Sequence, residues 1–573
     1  MWVNSYVFVF FTSALIVKGQ CKCRCLPNDS CWPDLNAWNE FNVSVGGQLL
    51  VPTPPASPCH DPTFNETACD IAKQKRINPF WRSDQAGAMQ NTNWEMNGNE
   101  RCTVSEDRTA PCLPGAIPAY AVKAIGVSDI QKTVEFAAKH NLRLVVKNTG
   151  HDYLGRSTAP GSLSIWTHFL KNYTFHDSFI PEGCDSSANV PAVTVEAGTQ
   201  WDEIYDAAEK NNLTVVGGNS LTVGAAGGYV QGGGHSAHSP KYGLSVDNII
   251  QFTVVTADGK LRVVNACQNR ELFWALRGGG GGTYGAVVTV THKTYKAPDN
   301  VSGFYFSANT TDTENFKELL KEFLRINPSL AETGWGGYFY ISDNSLLVTY
   351  LYPDTNSSLA NETVAPLLNY ANNRTGISSM GIMTNHASFY AWHRSISCAA
   401  FKDICTDPVG KNVLLGSRLI PKEYFENEDK MKLFIDTLIT LSKERGLLGH
   451  LVAGGAVIRN NGSETSVNPA WRKAIWHIVL TNDLADNATI EQQKAVAEDI
   501  TRSTQLLRDI TPDSGCYLNE ADVNEPNWQQ AFFGENYSRL KTIKDEIDPD
   551  GLFVCKNCVG SEEWSPDLNC SKN

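Results

Sequence analysis

The chain has 573 residues, 42% of them hydrophobic, with 48 Lys and Arg against 61 Asp and Glu for a formal charge of −13. That length exceeds one usual core, so two domains or one domain with a large insertion are expected. The acidic balance argues against nucleic acid or an anionic membrane surface as partner, because phosphate binding is driven by basic surface.

Residues 1–20 contain an apolar run from Val7 to Val17, too short to span a bilayer, and then Lys18-Gly19-Gln20. This pattern predicts a signal peptide and a secreted protein. No later segment approaches the roughly 20 apolar residues of a membrane helix, so no membrane partner is expected. Sixteen cysteines, including Cys21, Cys23, Cys25 and Cys31, and fourteen N-x-S/T sequons suit an oxidising, glycosylating compartment. Residues 21–115 read as a Cys-, Pro- and Trp-rich arm with little periodicity, wrapped on the following domain and tied by disulfides. Cys555 and Cys558 make a C-x-x-C, but no second ligand pair lies near them, so a disulfide is preferred to structural zinc.

From Ala116 the pattern becomes helix and strand. Ser128 with Gln131 predicts a capping box, Asn141 ends that helix, and Leu142 to Val146 form a strand. The strand delivers the chain to Lys147-Asn148-Thr149-Gly150-His151-Asp152-Tyr153-Leu154-Gly155-Arg156-Ser157, a glycine-containing loop of the kind that exposes backbone N–H groups to a pyrophosphate. His151 within it is either a cofactor-attached residue or an ordinary loop histidine. A second unit follows: strand Val193 to Val195, helix Trp201 to Lys210, and strand Leu213 to Val216. Gly217 to His235 carries too many glycines for an element interior, so its backbone must lie against something. Asp258-Gly259 turns a hairpin between Ile250–Thr256 and Leu261–Val264.

Gly280, Gly282 and Gly285 satisfy G-x-G-x-x-G, yet a helical run, Leu272 to Arg277, precedes them and a β-branched run, Val287 to Thr291, follows. A dinucleotide fingerprint needs the opposite order, so a Rossmann unit is rejected. Residues 300 to 500 alternate strands (Gly337–Ser342, Leu346–Tyr352) with amphipathic helices around Phe316–Phe323 and Met431–Leu441. Phe389 to Arg394 either lines a cleft or belongs to the core. His235 and His238 form H-x-x-H, but no third ligand is in sight and glycines disfavour a helical platform, so no metal is expected. No G-x-S-x-G elbow supports a serine hydrolase. The tail carries Gly515-Cys516-Tyr517-Leu518-Asn519-Glu520, then Phe533-Gly534-Glu535-Asn536-Tyr537 and Asp548-Pro549-Asp550-Gly551.

The His151 loop, the glycine segment with Lys241 to Asn248 behind it, the Leu272–Val288 unit and these tail motifs together resemble the berberine bridge enzyme-like branch of the vanillyl-alcohol oxidase superfamily. The resemblance implies an α+β fold: a two-part PCMH-type FAD-binding domain over 116–298, a substrate domain over 299–504 with an antiparallel sheet backed by helices, and a berberine-type segment over 505–573 that returns to the FAD domain. It implies FAD bound covalently through the flavin 8α position to His151. Asn148, Thr149, Gly150, Asp152, Ser157, Ser220, Val223, Gly224, Gly228, Gly233, His235 and Asp247 are implied to face the cofactor. Many relatives place a cysteine where this chain has Ser220, so a cysteinyl link is not expected. Val223 stands where oxygen-reactive relatives tend to carry valine, which favours an oxidase.

Tyr517 on a flavin-bordering strand is the implied base and Asn519 the orienting group; a core tyrosine is the alternative. The arm with Cys31-Trp32-Pro33 resembles fungal secreted isoamyl alcohol oxidase-type proteins and enzymes of secondary metabolism. The implied activity is two-electron oxidation of a small-molecule alcohol-type or specialised-metabolite substrate, with O2 reduced to H2O2, by a monomer. A carbohydrate oxidase or a non-catalytic secreted flavin-binding protein are the alternatives.

Overall fold

The structure, a computed structural model, describes residues 22–572; the expected leader over residues 1–20 lies outside them. The chain builds three sheets. In the first, Tyr120–Lys123, Leu163–Trp166 and Leu144–Lys147 pair in parallel, with Leu49–Leu50 antiparallel at one edge. The helix Val127–Lys139 covers it, burying Ile130, Thr133, Val134 and Ala137, the i, i+3, i+4, i+7 stripe of an amphipathic helix.

The start of that helix departs from expectation. Gly126 is the cap residue and Ser128 lies inside the first turn; Asp129 Oδ2 instead accepts from the Ile125 N–H at 3.0 Å. Gln131 donates to the Gly259 carbonyl at 2.8 Å, across to a hairpin. A carboxylate beside a helix N-terminus gains from the helix dipole as well as the hydrogen bond, so Asp129 displaces the serine. At the other end Asn141 adopts φ 51° and the Leu142 N–H returns to the Ala137 carbonyl at 2.9 Å, closing the helix as the sequence predicts.

The second sheet is antiparallel, in the order Tyr173–Phe179, Val190–Glu196, Ala286–Lys296, Ile249–Val255, Leu261–Asn265, with Leu213–Val215 on the end of the long Ala286–Lys296 strand. Thr256 to Gly259 closes its hairpin as a turn followed by Gly259 at φ 72°. Helix Trp201–Lys210 is fixed at its start by Glu203, whose Oε2 accepts from the Gln200 N–H at 2.8 Å.

The third sheet has seven antiparallel strands, ordered Ile377–His386, Val301–Thr310, Ser345–Tyr352, Gly336–Ser342, Leu447–Leu451, Ala474–Leu484, Asn412–Pro421. Helices Thr313–Thr333, Ser357–Asn372, Glu428–Ser442 and Ile490–Ile510 pack on one face around buried Phe323, Phe339 and Trp476. The chain then returns: Tyr537–Ile547 lies on Arg270–Leu276, with Tyr284 Oη donating to the Leu540 carbonyl at 3.1 Å and Lys544 Nζ to Thr283 O at 2.7 Å.

The arm is held differently from expectation. Cys25–Cys31, Cys59–Cys69 and Cys102–Cys112 are local staples, and among the described residues only Cys23–Cys570 ties the arm to another part of the chain. Packing does the rest: the arm helix Leu35–Ser44 sets Phe41 and Trp38 4.1 Å from Phe136 and Tyr120. Cys184–Cys267, Cys398–Cys405 and Cys555–Cys558 are the other disulfides, and Cys516 is a free thiol. Among the described residues no helix is long and apolar enough to cross a membrane.

Two buried histidines tie elements together as neutral donors. His292 on the central strand donates to Ala225 O at 3.1 Å and His393 to Asn219 O at 2.6 Å. Burial pulls both from 6.5 down to about 4, against the raising effect of those hydrogen bonds. Their folded-state values lie below the unfolded ones, so the unfolded chain takes up protons first. Denaturant-derived stability should therefore decline as pH falls from 6.5 toward 4, each histidine contributing a slope approaching about 1.4 kcal/mol per pH unit. Substituting Gln at both positions should flatten that decline; an unchanged slope would refute the assignment.

Candidate functional site

The strand Leu144–Lys147 ends at a buried lysine. Lys147 Nζ donates to the Gln85 and Ala86 carbonyls of the arm at 2.6 and 3.1 Å, and burial pushes its pKa down to about 7. The arm also grips the next residues: Gln90 donates to Thr149 O at 2.9 Å and to Gly150 O at 3.1 Å, with Gly150 at φ 84°. Asp152 folds the loop on itself, its carboxylate accepting from the N–H groups of Leu154 (3.1 Å), Ser157 (2.7 Å) and Arg156. Thus Asp152 and Ser157 shape the loop by bonding to each other.

His151 emerges from this frame with Nε2 2.7 Å from Thr222 Oγ1, and burial lowers its imidazole to about 3, so it is neutral at any working pH. Thr222 belongs to the glycine segment, whose backbone lies against protein side chains. A Cβ on Gly224 would fall 2.4 Å from Asn148 Nδ2, and one on Gly232 would fall 2.4 Å from Asn519 Oδ1. Asn148 donates to Ala197 O. Asn148 Oδ1, Ser220 Oγ and Gln231 Oε1 are buried without a partner among the described residues. Val223, half-buried, sits against the core, and its carbonyl receives the Trp201 N–H at 3.1 Å. Asp247 makes a bidentate pair with Arg472 at 2.6 and 2.9 Å, the two side chains 6% and 10% exposed.

Tyr517 to Glu520 is a single 3-10 turn instead of the strand expected there. It points three side chains inward. Tyr517 Oη accepts from Asn519 Nδ2 at 2.7 Å and from the Gly234 N–H at 3.2 Å, beside Gly233 at φ 129°. Asn519 Nδ2 also reaches Gly228 O at 3.1 Å, and Arg156 donates to Asn519 Oδ1 at 3.1 Å. Burial, followed by the Glu520 charge, raises the Tyr517 phenol above its usual value and outweighs both donors, so the hydroxyl keeps its proton in this state. Glu520 receives His235 Nε2 at 3.1 Å. Burial pushes its carboxyl up, but the charge and hydrogen bond of His235, with His450, hold it below the usual range.

The turn and His235 meet one row of the seven-stranded sheet. Cross-strand register sets Ile382, Tyr305, Thr349, Tyr338, His450, His477 and Leu419 side by side on the face opposite the helices. His450 and His477 come to 3.0 Å of each other and within 4.0 and 3.6 Å of Glu520. Sequence reasoning missed Glu520, His450 and His477. The available signal was a lone histidine inside each apolar run, Leu447–Leu451 and Ala474–Leu480. His238 turns away and packs against Phe389, the ring centroids 4.6 Å apart and the planes tilted by 46°. Phe389 and Trp392 are buried, 8% and 1% exposed, while Phe389 and Tyr390 also line a cavity beside His238, so both readings of that stretch hold in part.

Residues 118–265 match the FAD binding domain family and residues 516–559 the berberine and berberine-like family. An uncharacterized FAD-linked oxidoreductase of Arthroderma benhamiae is 40% identical over 566 residues, covering 96% of each chain. The chain belongs to the FAD-linked oxidoreductases of the berberine-like, VAO-type family. FAD-linked oxidoreductase patO of Aspergillus clavatus is 34% identical over 97% of this chain and 96% of its own. The crystal structure of VAO-type flavoprotein MtVAO615 from Myceliophthora thermophila superposes with TM-score 0.88 at 30% identity, over 95% of this chain and 98% of that one. The α+β architecture is therefore the VAO-type, PCMH-type FAD-binding fold.

The residues present fit FAD. A dinucleotide needs close backbone approach and polar partners, and the His151 loop and glycine segment supply both: a neutral imidazole, glycines without Cβ, and the unpartnered Ser220, Asn148 and Gln231 atoms. In this FAD-linked oxidoreductase the Asp247–Arg472 pair welds the end of the glycine region to the 455–472 segment. Asp247→Ala leaves a buried guanidinium unpaired and should cost about 3–5 kcal/mol in urea unfolding. A loss below about 1 kcal/mol would show that the pair carries no such load.

Proposed function

We propose that this protein is a secreted oxidase of alcohol-type CH–OH donors, specialised metabolites among them, with FAD attached through His151 alone and O2 as electron acceptor. The observation that carries the reading is His151 itself: neutral, fixed through Nε2 by Thr222, and placed beside a segment with Ser220 where a second, thioether link would need cysteine. Bound FAD supplies the hydride acceptor and the centre that returns electrons to O2. The chain supplies the rest. Asn519 and Tyr517 take the substrate heteroatom; to accept its proton Tyr517 must first be the phenolate, and the Gly234 N–H and Asn519 Nδ2 donors facing its Oη stabilise that form until the substrate proton moves to Oη and neutralises it. The sheet row running outward from Tyr338 through Tyr305 to exposed Ile382 offers an aromatic and aliphatic floor, which suits a substrate larger than a short alcohol. The protein acts as a monomer in this reading.

His151→Ala should abolish flavin that survives acid precipitation, while Tyr517→Phe should leave covalent flavin intact and lower kcat for substrate-driven flavin bleaching by about 100-fold. Flavin still covalent in the alanine variant, or a cysteinyl-flavin peptide in the native protein, would overturn the single-link reading. Peroxide release under air, screened over alcohols and sugars, tests the oxidase assignment, and absence of any bleaching would favour a non-catalytic flavoprotein.

A further inference from the structure

We propose that His235, His450, His477 and Glu520 form a closed binding site for a divalent first-row transition cation of the Zn2+ type. One ligand atom from each lies within 4.8 Å of every other. The separations are 3.1 Å for His235 Nε2 to Glu520 Oε1, 3.0 Å between the two Nδ1 atoms of His450 and His477, and 3.6 and 4.0 Å from Glu520 Oε2 to those same atoms. Tetrahedral zinc with bonds of about 2.0–2.1 Å sets its ligand atoms about 3.4 Å apart. All four groups thus surround one point, which a cation reaches after adjustment of the side chains.

The surroundings fit an ion better than a set of mutual hydrogen bonds. A neutral imidazole has one N–H and one lone pair, so the facing Nδ1 atoms of His450 and His477 satisfy each other only if one ring donates. With a cation at the centre, all three inner nitrogens serve as lone-pair donors, and the outer ones carry the protons. Packing already fixes the rings for this: His477 lies 5.9 Å from the Trp471 ring and 5.8 Å from Tyr517, and His235 lies 5.2 Å from Tyr517.

Three imidazoles and one carboxylate without thiolate select zinc, cobalt or nickel over calcium and magnesium, which prefer all-oxygen shells. The sequence reading against a metal rested on H-x-x-H lacking a third ligand. The fold supplies two from adjacent strands and a fourth from the tail turn, and leaves His238 out. Four protein ligands leave no open position, so the ion clamps the glycine segment, the sheet and the Tyr517–Glu520 turn together and takes no part in bond making. The inference goes beyond the oxidase reading and needs no flavin chemistry.

The test uses tag-free full-length protein, stripped with a chelator and titrated with Co2+ and Zn2+, with flavin content read in the same samples. One equivalent of Co2+ should bind with the intense visible bands of a tetrahedral site, Zn2+ should displace it, and Zn2+ should raise the thermal midpoint. His477→Ala and the milder Glu520→Gln should weaken binding at least tenfold with flavin content unchanged. Wild-type protein that takes up no ion, or variants that bind as tightly as wild type, would overturn the site. Loss of flavin from the wild type would count against the FAD reading and leave the metal result standing.

Discussion

Everything in this molecule that bears on chemistry depends on one close approach: the backbone of residues 217–235 lies against side chains from parts of the chain far apart in sequence. Asn148 reaches it from the His151 loop and Asn519 from the tail, each occupying the volume a Cβ would need. His292 from the central strand and His393 from the helix Phe389–Ala400 hydrogen-bond to its carbonyls. A backbone buried in this way must satisfy its polar groups by such contacts, because water cannot reach them. The two histidines stay neutral for the same reason, since a charged imidazole would lose its hydration without a counter-charge. Glycine is required here first by protein packing, and the cofactor cradle is built from what that packing leaves open.

The Tyr517–Glu520 turn converts this scaffold into a site by splitting its side chains. Tyr517 and Asn519 bond to the glycine segment, while Glu520 bonds to His235 at the end of that segment and faces His450 and His477 of the seven-stranded sheet, so a four-residue turn touches both. Behind it, Arg508 pairs with Glu525 and Asp522 in a buried network that fixes the tail on the Ile490–Ile510 helix. Such networks hold because every charge has a partner, and removing one partner costs far more than the pair contributes.

The parts legible in the sequence are those written in local periodicity. Helix Trp201–Lys210, the Ile249–Asn265 hairpin and the order helix, glycine turn, strand around Arg277 follow from 3.6- and 2-residue patterns and from glycines needing positive φ. What local pattern left unread was decided by partners distant in sequence or by competition between near neighbours. Asp129 outcompetes Ser128 for the same helix end. Asp247 finds Arg472 across 225 residues, a pairing that no spacing rule reveals. His450 and His477 become neighbours only through strand register, and each strand alone reads as a plain apolar segment. The family resemblance implies a strand at Tyr517–Asn519, yet the stretch forms a tight turn whose side chains bond to the glycine segment's backbone.

The seven-stranded sheet shows why such a site can be maintained. Burying Glu520 and three imidazoles in one cluster is unfavourable by desolvation and has to be offset elsewhere in the fold. Strand alternation separates the two demands. On Ala474–Leu484, Trp476 and Ile478 enter the aromatic core under the helices, while His477 between them faces the opposite way; on Leu447–Leu451, Leu447 and Leu451 enter the same core and His450 does not. The helix-covered face can therefore be packed for stability, with each large apolar side chain contributing about 1.5–3 kcal/mol by burial. The other face of the same strands is free to collect polar groups. A one-residue slip in the pairing of either strand would exchange these faces, putting histidine into the core and tryptophan into the site. The apolar face thus fixes the register, and the register in turn places the polar cluster.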